Sequence, residues 1–148
     1  MGSSFTNVDI HLIFHTKSNG CVMKEEDLPR IFHYIGGIIR SMSGFAFIVG
    51  GRPDHIHILT AVPVSMSLAD FVRDVKSCTT KWIKGIDASY DSFSWQEGYG
   101  AFSVSISSRN DVINYILKML VKPYSDRFTN TFWFFLMNSP TLHFRLKC

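Results

Sequence analysis

The stretch FAFIVGGRPDHIHILTAV, residues 45–62, holds two apolar runs, 45–51 and 54–62, parted by a Gly-Arg-Pro break. Glycine and proline this close together mark a turn, so the runs read as two strands joined by a short connection. Alternate residues of a strand share a face, so His55 and His57 project together, with Leu59 beyond them. Two imidazoles side by side are either half of a metal site or a pair of hydrogen-bonded strand histidines. The pair alone does not decide between them.

Working outward from this stretch gives the architecture. Residues 8–17, VDIHLIFHTK, alternate Val8, Ile10, Leu12 and Phe14 against His11, Ile13 and His15, which predicts a strand. Residues 25–44 place Leu28, Ile31, Ile35, Ile38 and Met42 at helical spacing, after a run of acids and before Gly44. Residues 65–85 form the clearest helix. Ser67 with Asp70 makes a capping-box-like start, and Leu68, Phe71, Val72, Val75, Trp82 and Ile83 form one apolar stripe. AFSVSIS, residues 101–107, alternates as a strand, and the helix that follows carries DVINYILKML and is stopped by Pro123. The order β-α-β-β-α-β is that of the α+β ferredoxin-like (RRM-like) fold, an antiparallel sheet with helices on one face, here with a third helix added.

Length and composition agree with one domain spanning residues 1–148. The chain is 46% hydrophobic, enough to build a core without disulfides or metal staples. Cys21, Cys78 and Cys148 are widely spaced and odd in number, which predicts a reduced, cytoplasmic protein. No apolar run reaches the length of a membrane span, and no membrane role is expected. A net charge of +3 suits nucleic acid without requiring it.

Four features could carry chemistry. The histidine pair lacks what other H-x-H hydrolases need. Leu59 stands where a histidine triad would place its third imidazole, and Thr60 is one place too late for an H-x-T phosphoesterase motif. Tyr115 lies at the edge of the stripe Val112, Ile113, Ile116, Leu117 and Leu120, as either a rim tyrosine or a nucleophile. Its phenol, of pKa about 10, attacks poorly at neutral pH unless a cation polarises the target. Arg73, Lys76, Lys81 and Lys84 share the polar side of the 65–85 helix and could track phosphates or simply be solvated. Residues 93–105, FSWQEGYGAFSVS, mix aromatics with glycines, suiting either core packing or base stacking.

Taken in order, FHTK, GRPDHIHIL, SLADFVRDVKS, KWI, FSWQEGYGAFSVS and VINYI resemble the single-tyrosine HUH transposases of bacterial insertion sequences, from about Val8 to Ile116. The resemblance implies a homodimer that cuts and rejoins single-stranded DNA and recognises hairpins at the element's ends. His55 and His57 match the metal pair, for Mg²⁺ or Mn²⁺, and Tyr115 matches the nucleophile that forms a 5′-phosphotyrosine link. In such dimers the tyrosine helix commonly completes the partner's histidine site.

Two departures stand out. Four residues after the tyrosine the family usually has a glutamine ligand, and here that position is Met119, a soft thioether unsuited to Mg²⁺. Behind it, residues 118–148 hold one acid, Asp126, and the aromatic run Phe132, Trp133, Phe134, Phe135, where the family has an acidic helix. This tail is atypical, and a shift of reading frame near Lys118 would account for it. The resulting alternative is an impaired copy that only binds DNA hairpins. His11, His15 and Gln96 are the candidates for a replacement ligand.

Overall fold

In the strand Asp9–His15 (β1) the two-residue period sends Leu12 and Phe14 to one side and His11, Ile13 and His15 to the other. The computed structural model describes residues 2–18 and 20–120. It continues with a helix at Leu28–Ser41 (α1), strands at Phe45–Arg52 (β2) and His55–Ala61 (β3), and a helix at Leu68–Lys84 (α2). A strand at Gly100–Val104 (β4) and a helix at Arg109–Leu120 (α3) complete it. The sheet order is β2-β3-β1-β4 with every neighbouring pair antiparallel, which is the ferredoxin-like arrangement predicted.

One sheet face is closed by α1 and α2. Leu12, Phe14, Val49, Ile56 and Ile58 meet Ile31, Ile35, Ile38 and Ile39 of α1 and Phe71, Val72 and Val75 of α2 in one buried cluster. The two helices also meet directly, Tyr34 stacking on Trp82 with ring centroids 4.6 Å apart. As the sequence predicts, Ser67 caps α2 by accepting from the Asp70 amide at 3.1 Å. The N-terminus of α1 is held differently. Asp27 makes no side-chain cap; its carboxylate accepts from the Tyr90 hydroxyl at 2.6 Å and from Arg30.

The third helix lies on the opposite face, across β2 and β3. Ile116 is fully buried over Ile48 and Leu59, with Phe47, Val112, Ile113 and Leu120 around them. Gly50 makes this seat possible: a side chain there would put its Cβ 2.7 Å from Ile116 and 3.2 Å from Leu120. At the start of α3, Arg109 donates to the buried carboxylate of Asp9 on β1, and its guanidinium lies 4.3 Å from the centre of the Phe47 ring.

The last strand is shorter than its alternation suggests. Val104 pairs with Asp9, where β1 begins, so nothing remains for residues 105–107 to pair with. Ser105 instead bonds the hydroxyls of Ser107 and Ser108, and Ile106–Ser108 coil into the start of α3. Among the described residues no helix is long and apolar enough to cross a membrane. The atypical tail beyond Leu120 lies outside the described residues.

Candidate active site

The face of β1 and β3 opposite α1 and α2 carries a row of imidazoles. His15 sits directly opposite His55 in the antiparallel register, and His11 lies diagonally across from His57. The ring centroids follow one another at 5.3 Å (His15–His55), 5.2 Å (His55–His57) and 5.2 Å (His57–His11). Two hydrogen bonds fix the central pair. His55 Nδ1 bonds Asp54 Oδ1 at 2.7 Å, and His57 Nδ1 bonds His11 Nε2 at 2.9 Å. Among the described residues neither ring has a hydrogen bond at Nε2.

Burial decides the charge of His57 and His11. His57 is only 6% exposed. Loss of solvent, reinforced by His11, His55 and His15 nearby, pushes its pKa from 6.5 down to about 4. Burial also lowers the pKa of His11. At neutral pH these rings offer lone pairs rather than positive charge, as a metal ligand or a proton acceptor must. The hydrogen bond from His55 holds Asp54 below the usual carboxylate range.

Tyr115 comes to this row because its neighbour Ile116 is the residue that α3 buries. One step along the helix turns the side chain about 100° away, toward β1. The Tyr115 ring centroid stands 5.8 Å from that of His57 and 6.4 Å from that of His11 in the same chain, and the residue is 54% exposed. His55, His57 and Tyr115, sixty residues apart in sequence, therefore share one open site. Met119, one turn further along α3, is half-buried. Among the described residues, no three His, Cys, Asp or Glu side chains are grouped to hold a metal ion.

The basic residues are elsewhere. Helix α2 packs on the other face of the sheet, so its polar side is remote from the histidines. Arg73 is shared between Asp70 and Asp74 at 2.9 and 3.1 Å. Lys76 donates to the carbonyls of Gln96 and Gly98 at 2.8 and 2.9 Å and lies over the Phe14 ring, and its burial lowers its pKa. It fastens the 96–98 loop to α2. Lys81 and Lys84 are exposed in the last turn.

The aromatic loop divides by position. Phe93 and Trp95 are buried, Trp95 packing edge-on against both Phe93 and Phe14, whereas Tyr99 and Phe102 are exposed. Gln96 meets His15 through its main chain, its amide donating to the His15 carbonyl at 2.8 Å. Sequence reasoning did not single out Asp54 or Arg109. For Asp54 the signal is a carboxylate directly before the first histidine; for Arg109 there is none, because its partner Asp9 lies a hundred residues away.

Among curated proteins none matches. Among solved structures, a protein of Deinococcus radiodurans R1 assigned as a transposase superposes with a TM-score of 0.61 at 19% identity, over 80% of this chain and 96% of that one. A REP-associated tyrosine transposase bound to a REP hairpin superposes with a TM-score of 0.53 at 13% identity, over 78% of this chain and 68% of that one. Both likenesses are of fold. The sequence itself matches the IS200-like transposase family over residues 4–119, and the chain belongs to that family.

Proposed function

We propose that this transposase cuts and rejoins single-stranded DNA through Tyr115, as a homodimer in the bacterial cytoplasm. One observation carries the reading: an exposed tyrosine stands 5.8 Å, ring to ring, from a buried, neutral histidine whose Nδ1 is already held. In the cleavage step the Tyr115 oxygen bonds to the scissile phosphorus and loses its proton to solvent. The bond from phosphorus to the 3′-oxygen breaks, and that oxygen takes up a proton and leaves as a 3′-hydroxyl. The 5′-phosphate remains on the tyrosine. One phosphodiester replaces another, so a second strand's 3′-hydroxyl reverses the step without ATP.

His55 and His57 suit a divalent ion as two of its ligands, since each has Nδ1 engaged and Nε2 without a partner among the described residues. Phosphate oxygens and water would fill the remaining positions, as Mg²⁺ and Mn²⁺ prefer. When bound, such an ion polarises the phosphate under attack. The DNA hairpins that we assign as partners meet Lys81 and Lys84, whose ammonium groups are exposed; Arg73 and Lys76 are already engaged within the protein. The hairpin-bound structural relative supports this class of partner.

Met119, and the absence of a three-residue ligand group among the described residues, favour a second reading, a copy that binds hairpins without cutting. Incubating the protein with hairpin-bearing single-stranded DNA from the flanks of its gene, with Mn²⁺, separates the two. Cleavage yields a covalent protein–DNA adduct on a denaturing gel, and Tyr115→Phe abolishes it while hairpin binding persists. An adduct that survives Tyr115→Phe removes the nucleophile assignment. Hairpin binding with no adduct from the native chain establishes the second reading.

A further inference from the structure

The hydrogen bond between His11 and His57 constrains both rings. An imidazole-to-imidazole bond needs one N–H and one lone pair. Two assignments are therefore open for His11 Nε2 and His57 Nδ1, 2.9 Å apart. If His11 donates, the proton of neutral His57 sits on Nε2, and the ring has no lone pair to present. If His57 donates from Nδ1, its Nε2 lone pair is exposed for use.

The neighbouring ring shows which arrangement this site employs. His55 Nδ1 faces the Asp54 carboxylate at 2.7 Å, and an ionised carboxylate only accepts, so His55 carries its proton on Nδ1 and its lone pair on Nε2. For two adjacent imidazoles to act on one cation or one phosphate, both must be in that form. We infer that His11 is a positioning residue that accepts the Nδ1 proton of His57, doing for His57 what Asp54 does for His55. The inference deepens the cleavage reading and rests on it for its purpose, though not for its test. Among the described residues His15 makes no such bond; its ring lies against His55 and its carbonyl is taken by the Gln96 main-chain amide.

A half-buried imidazole suits this task better than a second carboxylate would. A carboxylate beside His57 would favour its charged form, and a neutral acceptor orients the ring while leaving it neutral. Outer partners of this kind commonly change metal affinity 10- to 100-fold when removed.

The decisive measurement is the long-range ¹H–¹⁵N imidazole spectrum of the metal-free protein at neutral pH, which reports the protonated nitrogen of each ring. The expected result is His57 protonated at Nδ1, and His11 protonated at Nδ1 with Nε2 accepting. A His57 proton on Nε2 overturns the assignment, whether or not the chain cuts DNA. Two variants extend the test, read by Mn²⁺ titration. His11→Phe keeps the ring volume and removes the acceptor, and is expected to weaken Mn²⁺ binding 10- to 100-fold. His11→Gln returns an acceptor oxygen and is expected to recover most of that loss. Unchanged Mn²⁺ affinity in a folded His11→Phe overturns the positioning role. Should that variant fail to fold, the native spectrum still decides. An adduct missing from a protein with the assigned tautomer counts against cleavage and leaves the role of His11 standing.

Discussion

On one face of the sheet Leu12, Phe14, Ile56 and Ile58 disappear beneath α1 and α2; on the other, His11, His55 and His57 alternate with them along the same two strands. The covered face is apolar and sealed, and at its margin the buried Tyr90 hydroxyl binds Asp27. Among the described residues the second face is roofed over β2 and β3, by one helix resting on Ile48 and Leu59. Its imidazoles are held by hydrogen bonds rather than packing, and Tyr115 stands at the roof's edge. The difference separates stability from chemistry within single strands: successive residues of β1 and β3 serve the two in turn.

The largest break in this comparison comes from the sealed face. Phe71 is fully buried in α2 against the sheet, and Phe71→Ala is expected to cost about 3–5 kcal/mol, as core aromatic truncations do. Chemical denaturation reads the loss. Adduct formation per folded molecule should stay near native, because nothing on the histidine face moves. A folded Phe71→Ala protein that has lost its adduct would mean that the two faces are not independent.

A smaller effect comes from the half-covered face. Arg109 pins the start of α3 to Asp9, whose Oδ1 is buried with no hydrogen-bond partner among the described residues. Replacing Arg109 by Leu strands that carboxylate and is expected to cost about 3 kcal/mol, toward the low end for a broken buried pair because the arginine is partly exposed. Here stability and adduct should fall together, since α3 carries Tyr115. Adding Asp9→Asn removes the stranded charge and is expected to restore part of the stability. A lone Arg109→Leu that cuts DNA at the native rate would show that α3 is positioned by its apolar seat alone.

These predictions also mark what could be read from the chain. The β-α-β-β-α-β order was legible because period two and period 3.6 change over at glycine and proline, and Ser67 announces α2. That His55 and His57 share a face follows from the same period. Which face α3 would choose was not legible, since a helix's amphipathic stripe does not name the surface it meets. Nor could the sequence show that His11 reaches His57: a diagonal contact requires the β1–β3 register, and that depends on tertiary packing. Lys76 was readable as basic, but the two carbonyls that hold it belong to a loop twenty residues on. The end of β4 was misjudged for the same kind of reason, because a strand stops where its partner stops.

The smallest effect distinguishes the faces by pH. His57 titrates at 6.5 in the unfolded chain and at about 4 when folded, chiefly because it is buried. Between those values the unfolded state binds more protons, so stability is full above pH 6.5 and declines as pH falls toward 4. Down to pH 4.5 the loss amounts to roughly 2–3 kcal/mol. His11, lowered by burial, adds in the same direction. Among the described residues the groups facing His57 are His11 and His15 from β1, His55 from its own strand and Tyr115 from α3, and none of these is a carboxylate that would offset the loss. On the sealed face Asp27 is also lowered: burial pushes it up, but the Tyr90 and Arg30 hydrogen bonds outweigh that, so its contribution is lost only at more acidic pH. Urea melts from pH 7.5 to 4.5 should therefore show a slope that His57→Gln flattens and Phe71→Ala leaves in place. Equal slopes in native protein and His57→Gln would mean that the imidazole row is charged in the folded state, and that the half-covered face admits more water than its geometry implies.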